Sequence, residues 1–121
     1  MSNTVLIVDD STVARKMMIK ALPEGFQCAV TEAADGQKAL ELCRQQHFDV
    51  IFLDLTMPVL DGYATLRALQ EAGYQSFICV VSADVQPQAR DSVLALGARA
   101  FLKKPVWTEE LATVLRENGF M

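Results

Sequence analysis

An α/β domain, doubly wound around a five-stranded parallel sheet, is the fold this sequence predicts. Two observations predict it. Five short apolar runs alternate with five segments of helical period. The residues able to carry chemistry stand just past the C-terminal ends of those runs, where ligands bind in such sheets. At 121 residues the chain has the length of one ordinary domain, and with 51% apolar residues it can bury a core without staples.

The apolar runs are Val5–Val8, Cys28–Thr31, Val50–Leu53, Ile78–Val81 and Ala100–Leu102. The first, third and fourth are almost continuously hydrophobic, as strands covered on both faces must be. The second and fifth are weaker and belong at or near sheet edges. Ser11 can cap a first helix with Ala14, Met17, Met18 and Ala21 as its inward stripe, ending before Pro23 and Gly25. Asp35 can cap a second, with Ala39, Leu40 and Cys43 inward. A third carries Leu66 and Leu69 and stops at Gly73. The fourth starts near Pro87, carries Ala89, Val93 and Leu96, and stops at Gly97. The fifth starts at Thr108 with Glu109 and Glu110 at the positive end of its dipole, and buries Leu111, Val114 and Leu115. Successive βα units imply right-handed crossovers.

Composition excludes several classes. A formal net charge of −4 argues against nucleic-acid binding, which depends on basic patches facing phosphate. No stretch approaches the ~20 apolar residues of a membrane span. The opening residues lack the order of a signal peptide, since Asp9 and Asp10 follow the first apolar run directly. Cys28, Cys43 and Cys79 are odd in number and scattered, without metal-ligand or disulfide spacing. They are expected as core or near-core thiols of a protein in the reducing cytoplasm.

Asp9 and Asp10 follow the first strand, Asp54 the third, Ser82 the fourth, and Lys104–Pro105 the fifth. Singly, each has a plain structural role: Asp10 a helix cap, Ser82 a turn hydroxyl, Lys104 a surface lysine. Asp54 is harder to treat so, because a charge ending the buried run Val50-Ile51-Phe52-Leu53 is costly if unpaired. Together they place three carboxylates, a hydroxyl and an ammonium on one rim. Crowded carboxylates repel unless a cation intervenes, and an all-oxygen donor set suits a hard ion, Mg²⁺ or Mn²⁺.

The chain resembles the receiver domain of bacterial response regulators over essentially its whole length. The matching pieces are Ile7-Val8-Asp9-Asp10-Ser11, Asp54-Leu55-Thr56-Met57-Pro58 with Asp61-Gly62, Val81-Ser82-Ala83, and Lys103-Lys104-Pro105. The resemblance implies a flavodoxin-like three-layer sandwich with strand order 2-1-3-4-5, residues 1–121 forming a single receiver domain. It implies that Asp54 accepts a phosphoryl group from the phosphohistidine of a histidine kinase or histidine phosphotransfer protein. Asp10, Asp54 and the Thr56 carbonyl would ligate Mg²⁺ (Mn²⁺ substituting), with Asp9 acting directly or through water. Ser82 and Lys104 would contact phosphoryl oxygens, Phe101 would change rotamer with Ser82, and the Lys104–Pro105 bond would be cis. Thr56 and Asp84 would tune dephosphorylation. Serine at 82 and phenylalanine at 101 depart from the commoner threonine and tyrosine.

The implied protein is a switch with self-phosphorylating and slow self-dephosphorylating chemistry, not a conventional enzyme. No further domain follows in the sequence, so either output comes from protein contact, for which the resemblance implies the face of helix four, strand five and helix five, or the domain belongs to a longer chain. Gln88, Ser92, Arg99, Trp107 and Glu110 are the solvent-side candidates there, with Trp107 either covering the rim or anchoring a partner. A flagellar motor, a phosphatase or a relay protein would fit as target, with chemotaxis-like output favoured. A haloacid-dehalogenase-like phosphatase fits less well, because its nucleophile follows strand one in an Asp-x-Asp pattern and here the two acids are adjacent. No dinucleotide or P-loop glycine motif occurs. A scaffold receiver without phosphorylation would not need all five chemical residues.

Overall fold

The computed structural model describes residues 2–83 and 86–121. Its strands are β1 (Asn3–Val8), β2 (Cys28–Ala33), β3 (Val50–Leu53), β4 (Phe77–Ser82) and β5 (Ala100–Lys103). Its helices are α1 (Thr12–Ala21), α2 (Gly36–Gln45), α3 (Gly62–Glu71), α4 (Pro87–Ala95) and α5 (Thr108–Glu117). All strands run parallel in the order β2-β1-β3-β4-β5, so the two weaker apolar runs do form the edges. β1 and β2 extend beyond their apolar runs because the ladder needs backbone groups, not apolar side chains: Asn3 pairs with Cys28 and Val8 with Ala33.

Alternation along the strands divides the core into two layers. Val5, Ile7, Val50, Phe52, Cys79, Val81 and Leu102 turn towards Met18 of α1 and Leu111 and Leu115 of α5. Leu6, Val8, Ile51, Leu53, Ile78 and Val80 turn towards Ala39, Leu66, Leu69 and Val93 of α2, α3 and α4. Each fully buried large side chain contributes roughly 1.5–3 kcal/mol, which is what makes the one-residue register of the central strands unambiguous. Cys79 is fully buried, whereas Cys28 and Cys43 are partly so, and all three thiols are free.

The helix ends follow local chemistry. Ser11 accepts from the Ala14 amide, Asp35 from Lys38 and Asp61 from Ala64, each as an N-cap. Capping of α1 by Ser11 leaves the Asp10 carboxylate for other work. Gly73 and Gly97 end α3 and α4 with φ of +68° and +103°, a region glycine enters without penalty. One expectation fails in α1. Met17 is 57% exposed and does not belong to the inward stripe, which runs through Ala14, Met18 and Ala21 at offsets of four and seven. Both methionines suit the apolar pattern equally, and only docking of the helix on the sheet chose between them.

Gly62 opens α3 directly against the end of β3. A Cβ there would lie 2.4 Å from the Asp54 carbonyl oxygen and 2.7 Å from the Leu55 Cα, both backbone atoms unable to yield cheaply. Gly62→Ala should therefore cost about 1–3 kcal/mol in urea denaturation, as overpacking does. Gly25→Ala is the control: its Cβ would meet only the flexible end of Met121 at 3.3 Å, and stability should scarcely change.

Candidate functional site

β1 and β3 are adjacent, with Val8 opposite Leu53, so the next residues along, Asp9 and Asp54, emerge side by side. The Asp54 amide donates to the Val8 carbonyl at 3.0 Å, which fixes that relation through the backbone. Asp9 and Asp54 are 6% and 7% exposed, while Asp10 is exposed. Carboxylate oxygens of Asp9, Asp10 and Asp54 all lie within 4.8 Å of one another.

Lys104 reaches into this cluster from beyond β5. Its Nζ donates to Asp9 Oδ2 at 2.7 Å and lies 3.3 Å from Asp54 Oδ1. Its own backbone is held at the rim, the Lys104 amide donating to the Ser82 carbonyl at 2.9 Å. The Lys104–Pro105 peptide is cis, as the resemblance implied. Burial pushes the Asp54 carboxyl up, the neighbouring Asp9 charge pushes it further, and the Lys104 ammonium and the Leu55 amide only partly offset this. Burial works to lower the Lys104 ammonium, but its hydrogen bond to Asp9 and the charges of Asp54 and Asp9 outweigh that and raise it.

One ammonium against three carboxylates leaves two negative charges on the rim. Both Asp9 oxygens are already engaged, Oδ1 by the Ser11 amide at 2.9 Å and Oδ2 by Lys104. Asp10 and Asp54 are thus better placed than Asp9 to ligate an ion directly. The donor set is all oxygen, the spacing suits a shared cation, and the residual charge matches a divalent one, so these residues fit Mg²⁺.

Ser82 ends β4, buried, and Phe101 lies on β5 opposite Val80. Val80 and Phe101 both face the α2–α3–α4 layer, and alternation puts Ser82 on that face too, one pleat towards the rim. Phe101 is half-buried. Thr56 is exposed in the β3–α3 loop. That loop turns at Val59, whose φ of +68° is costly for a β-branched residue, and is tied down where Leu60 accepts from the Gly36 amide. Asp84 lies outside the described residues. Trp107, just before α5, is 65% exposed. Gln88, Ser92, Arg99 and Glu110 are also exposed. Sequence reasoning missed Arg15, whose guanidinium grips the Asp9 carbonyl at 2.7 Å. The available signal was an arginine one turn past Ser11 and an acid, Glu32, directly after the second apolar run.

Comparison with known proteins agrees with this fold. The response regulator receiver domain family matches residues 5–116. The chain is 31% identical over 120 residues to the chemotaxis protein CheY of Bacillus subtilis, covering 98% of both chains. It is 40% identical over 104 residues to a protein-glutamate methylesterase/protein-glutamine glutaminase of Symbiobacterium thermophilum, covering 84% of this chain but only 28% of that protein. The solved structure of Vibrio cholerae chemotaxis protein CheY4 superposes with a TM-score of 0.85 at 31% identity, covering 97% of this chain and 98% of that one.

The raised Asp54 carboxyl has a consequence for stability against pH. Its ionised form is worse off folded than unfolded, so the penalty is absent below the ordinary carboxylate pKa and grows as pH rises towards the folded value. Asp54→Asn should therefore melt higher than wild type at pH 7 in chelator, with the difference shrinking as pH falls towards ~4. Mg²⁺ at about ten times its Kd should stabilise wild type by about 1.4 kcal/mol and the variant by clearly less. Thermal melts across pH, with and without Mg²⁺, measure both; an Asn variant less stable than wild type at pH 7 would refute the account.

Proposed function

The chain belongs to the response regulator receiver domain family, whose members are phosphorylation-driven signalling switches, and we propose that here the phosphoryl acceptor is Asp54. The observation that carries this reading is the placement of Asp54: buried at the end of β3, sharing one ammonium with Asp9 and within shared-cation distance of Asp10. In this reading residues 1–121 form one receiver domain of the cytoplasm. No helix among the described residues is long and apolar enough to cross a membrane, and the acidic net charge disfavours nucleic acid.

An Asp54 oxygen attacks the phosphorus of a phosphohistidine carried by a kinase or phosphotransfer protein. The O–P bond forms as the P–N bond breaks, and the electron pair leaves with the imidazole. Asp10, Asp54 and the Thr56 carbonyl would hold Mg²⁺ or Mn²⁺, with Asp9 contributing directly or through water; when bound, the ion offsets the repulsion between carboxylate and incoming phosphoryl oxygens. Lys104 transfers its charge from the two carboxylates to a phosphoryl oxygen, a short movement because its backbone is anchored at Ser82. The Ser82 hydroxyl donates to a second oxygen.

Movement of Ser82 towards the phosphoryl group vacates space on the face it shares with Phe101. The ring then turns inward, which changes the surface of α4, β5 and α5 that a target protein reads. Phosphorylation drives this only through its differential contacts with the two packings. The chemotaxis likeness favours a motor protein, a phosphatase or a relay partner as that target. The chemistry is confined to gaining phosphate from a donor and losing it slowly to water.

Acetyl phosphate or beryllium fluoride should modify wild type only with Mg²⁺, and Asp54→Asn should abolish it, as read by intact-protein mass spectrometry. Stoichiometric label on the Asn variant would move the nucleophile elsewhere. The lifetime of the phosphoryl group should depend on the residues two past Asp54 and Ser82. Thr56→Arg should block water's in-line approach. Asp84→Ala should slow release several-fold by removing an acceptor that orients water, within the roughly 10²–10⁴-fold reach of general-base assistance. Phosphate release at saturating Mg²⁺ measures both, and faster release from Asp84→Ala would show that its charge matters more than its hydrogen bond.

A further inference from the structure

Arg15 lies on α1 with its side chain 13% exposed. Its guanidinium donates in three directions: Nη1 to the Asp9 carbonyl at 2.7 Å, Nε to Glu32 Oε1 at 2.9 Å, and Nη2 to Thr12 Oγ1 at 3.1 Å. Glu32 stands on the edge strand β2, opposite Ile7, and its second oxygen accepts from Lys16 Nζ at 2.9 Å. Hydrogen bonds from Lys16 and Arg15 hold the Glu32 carboxyl below the usual carboxylate range.

The carbonyl that Arg15 grips belongs to the peptide joining Asp9 to Asp10. That unit is planar and rigid, so its orientation sets where the Asp10 chain begins relative to the Asp9 side chain. The Asp9 amide meanwhile donates to the Ala33 carbonyl of β2 at 3.1 Å. The edge strand thus holds Asp9 at both ends, through Ala33 directly and through Glu32 and Arg15 around the far side. Three divergent donors in one plane are what a guanidinium supplies and an ammonium cannot reproduce at these positions.

We propose that Arg15, oriented by Glu32, is a positioning residue for the divalent-cation site: it sets the plane of the Asp9–Asp10 peptide and through it the affinity for Mg²⁺, touching neither ion nor phosphoryl group. This rests on the metal-dependent reading of Asp9, Asp10 and Asp54 above. Charge and positioning predict opposite results for loss of Arg15. Removing a cation beside an acidic site strengthens Mg²⁺ binding, whereas freeing the peptide weakens it. Positioning prevails, because Arg15 holds the Asp9 carbonyl directly at 2.7 Å, whereas its charge is offset in part by Glu32 at 2.9 Å, a carboxylate that it shares with Lys16. Outer-shell partners of metal sites, by contrast, commonly carry about 10–100-fold in affinity.

Calorimetric titration of the whole chain with Mg²⁺ tests this on wild type, Arg15→Met, Arg15→Lys and Glu32→Gln. Kd should rise about ten-fold in both Arg15 variants, the lower end of that range, and Glu32→Gln should weaken binding in the same direction. The rate of Asp54 labelling by acetyl phosphate at saturating Mg²⁺ should stay at the wild-type value, since only binding has been lost. Unchanged or tighter Mg²⁺ binding by Arg15→Met would overturn the proposal, as would Arg15→Lys behaving like wild type. A fall in the saturated rate would overturn it too, placing Arg15 in the chemistry. Should Arg15→Met not fold, Arg15→Lys decides the question, because it keeps the charge and loses the planar donor geometry. Absence of Mg²⁺ binding by wild type would instead remove the metal-dependent reading, and this proposal with it.

Discussion

Asp9 and Asp54 leave neighbouring parallel strands one residue beyond the last paired positions, Val8 and Leu53, and both are nearly buried there. Two like charges at that separation, in a medium that solvates them poorly, are a standing liability. Most of what surrounds them reads as a response to it. Lys104 bridges the pair, Ser11 and Leu55 turn amides towards them, and Asp10 makes the deficit of positive charge larger. A site stabilised by one intramolecular ammonium and still short of positive charge suits a divalent ion, which is what the proposed function asks of it.

Precision in such a site cannot come from the loops alone. The sheet supplies it: central strands with no exposed face cannot slip, since a one-residue shift would exchange the two core layers. Gly62 lets α3 start against the Asp54 carbonyl, and Gly36 lets α2 approach Leu60 and Thr65 closely, so the β3–α3 loop is clasped from both sides. The left-handed turn at Val59 persists within that clasp, an unfavourable local conformation that its surroundings over-determine. On the other side of the rim, Arg15 and Glu32 bind the β1–α1 turn to the edge strand.

The layer assignment also joins site to surface. Ser82 on β4 shares its face of the sheet with Phe101 on β5, whereas Lys104, one residue past β5, pairs with Asp9 and Asp54 beyond β1 and β3. In the proposed switch, a change at the rim would reach the α4–β5–α5 side through two adjacent strands and one half-buried ring, without deforming the packed centre of the sheet.

Much of this was legible in the residues alone. Apolar runs and helical periods gave ten elements near their observed bounds, the weakness of the β2 and β5 runs marked them as edges, and the strand-end rule picked out Asp9, Asp10, Asp54, Ser82 and Lys104. These are local signals: a period, a cap, or a charge where the pattern forbids one. What tertiary structure alone decided are matters of orientation and distance. Met17 and Met18 are equivalent in pattern, and docking of α1 buried one and left the other in solvent. Lys104 lies 95 residues from Asp9, yet its Nζ is 2.7 Å from that carboxylate. Arg15 and Glu32 carried no motif, because their contact joins an edge strand to a helix across the β1–α1 turn. Composition and spacing along the chain determined which groups would reach the rim; which of them touch was decided by how helices settle on a twisted sheet, since hydrogen bonds and ion pairs depend on ångström distances that no linear pattern encodes.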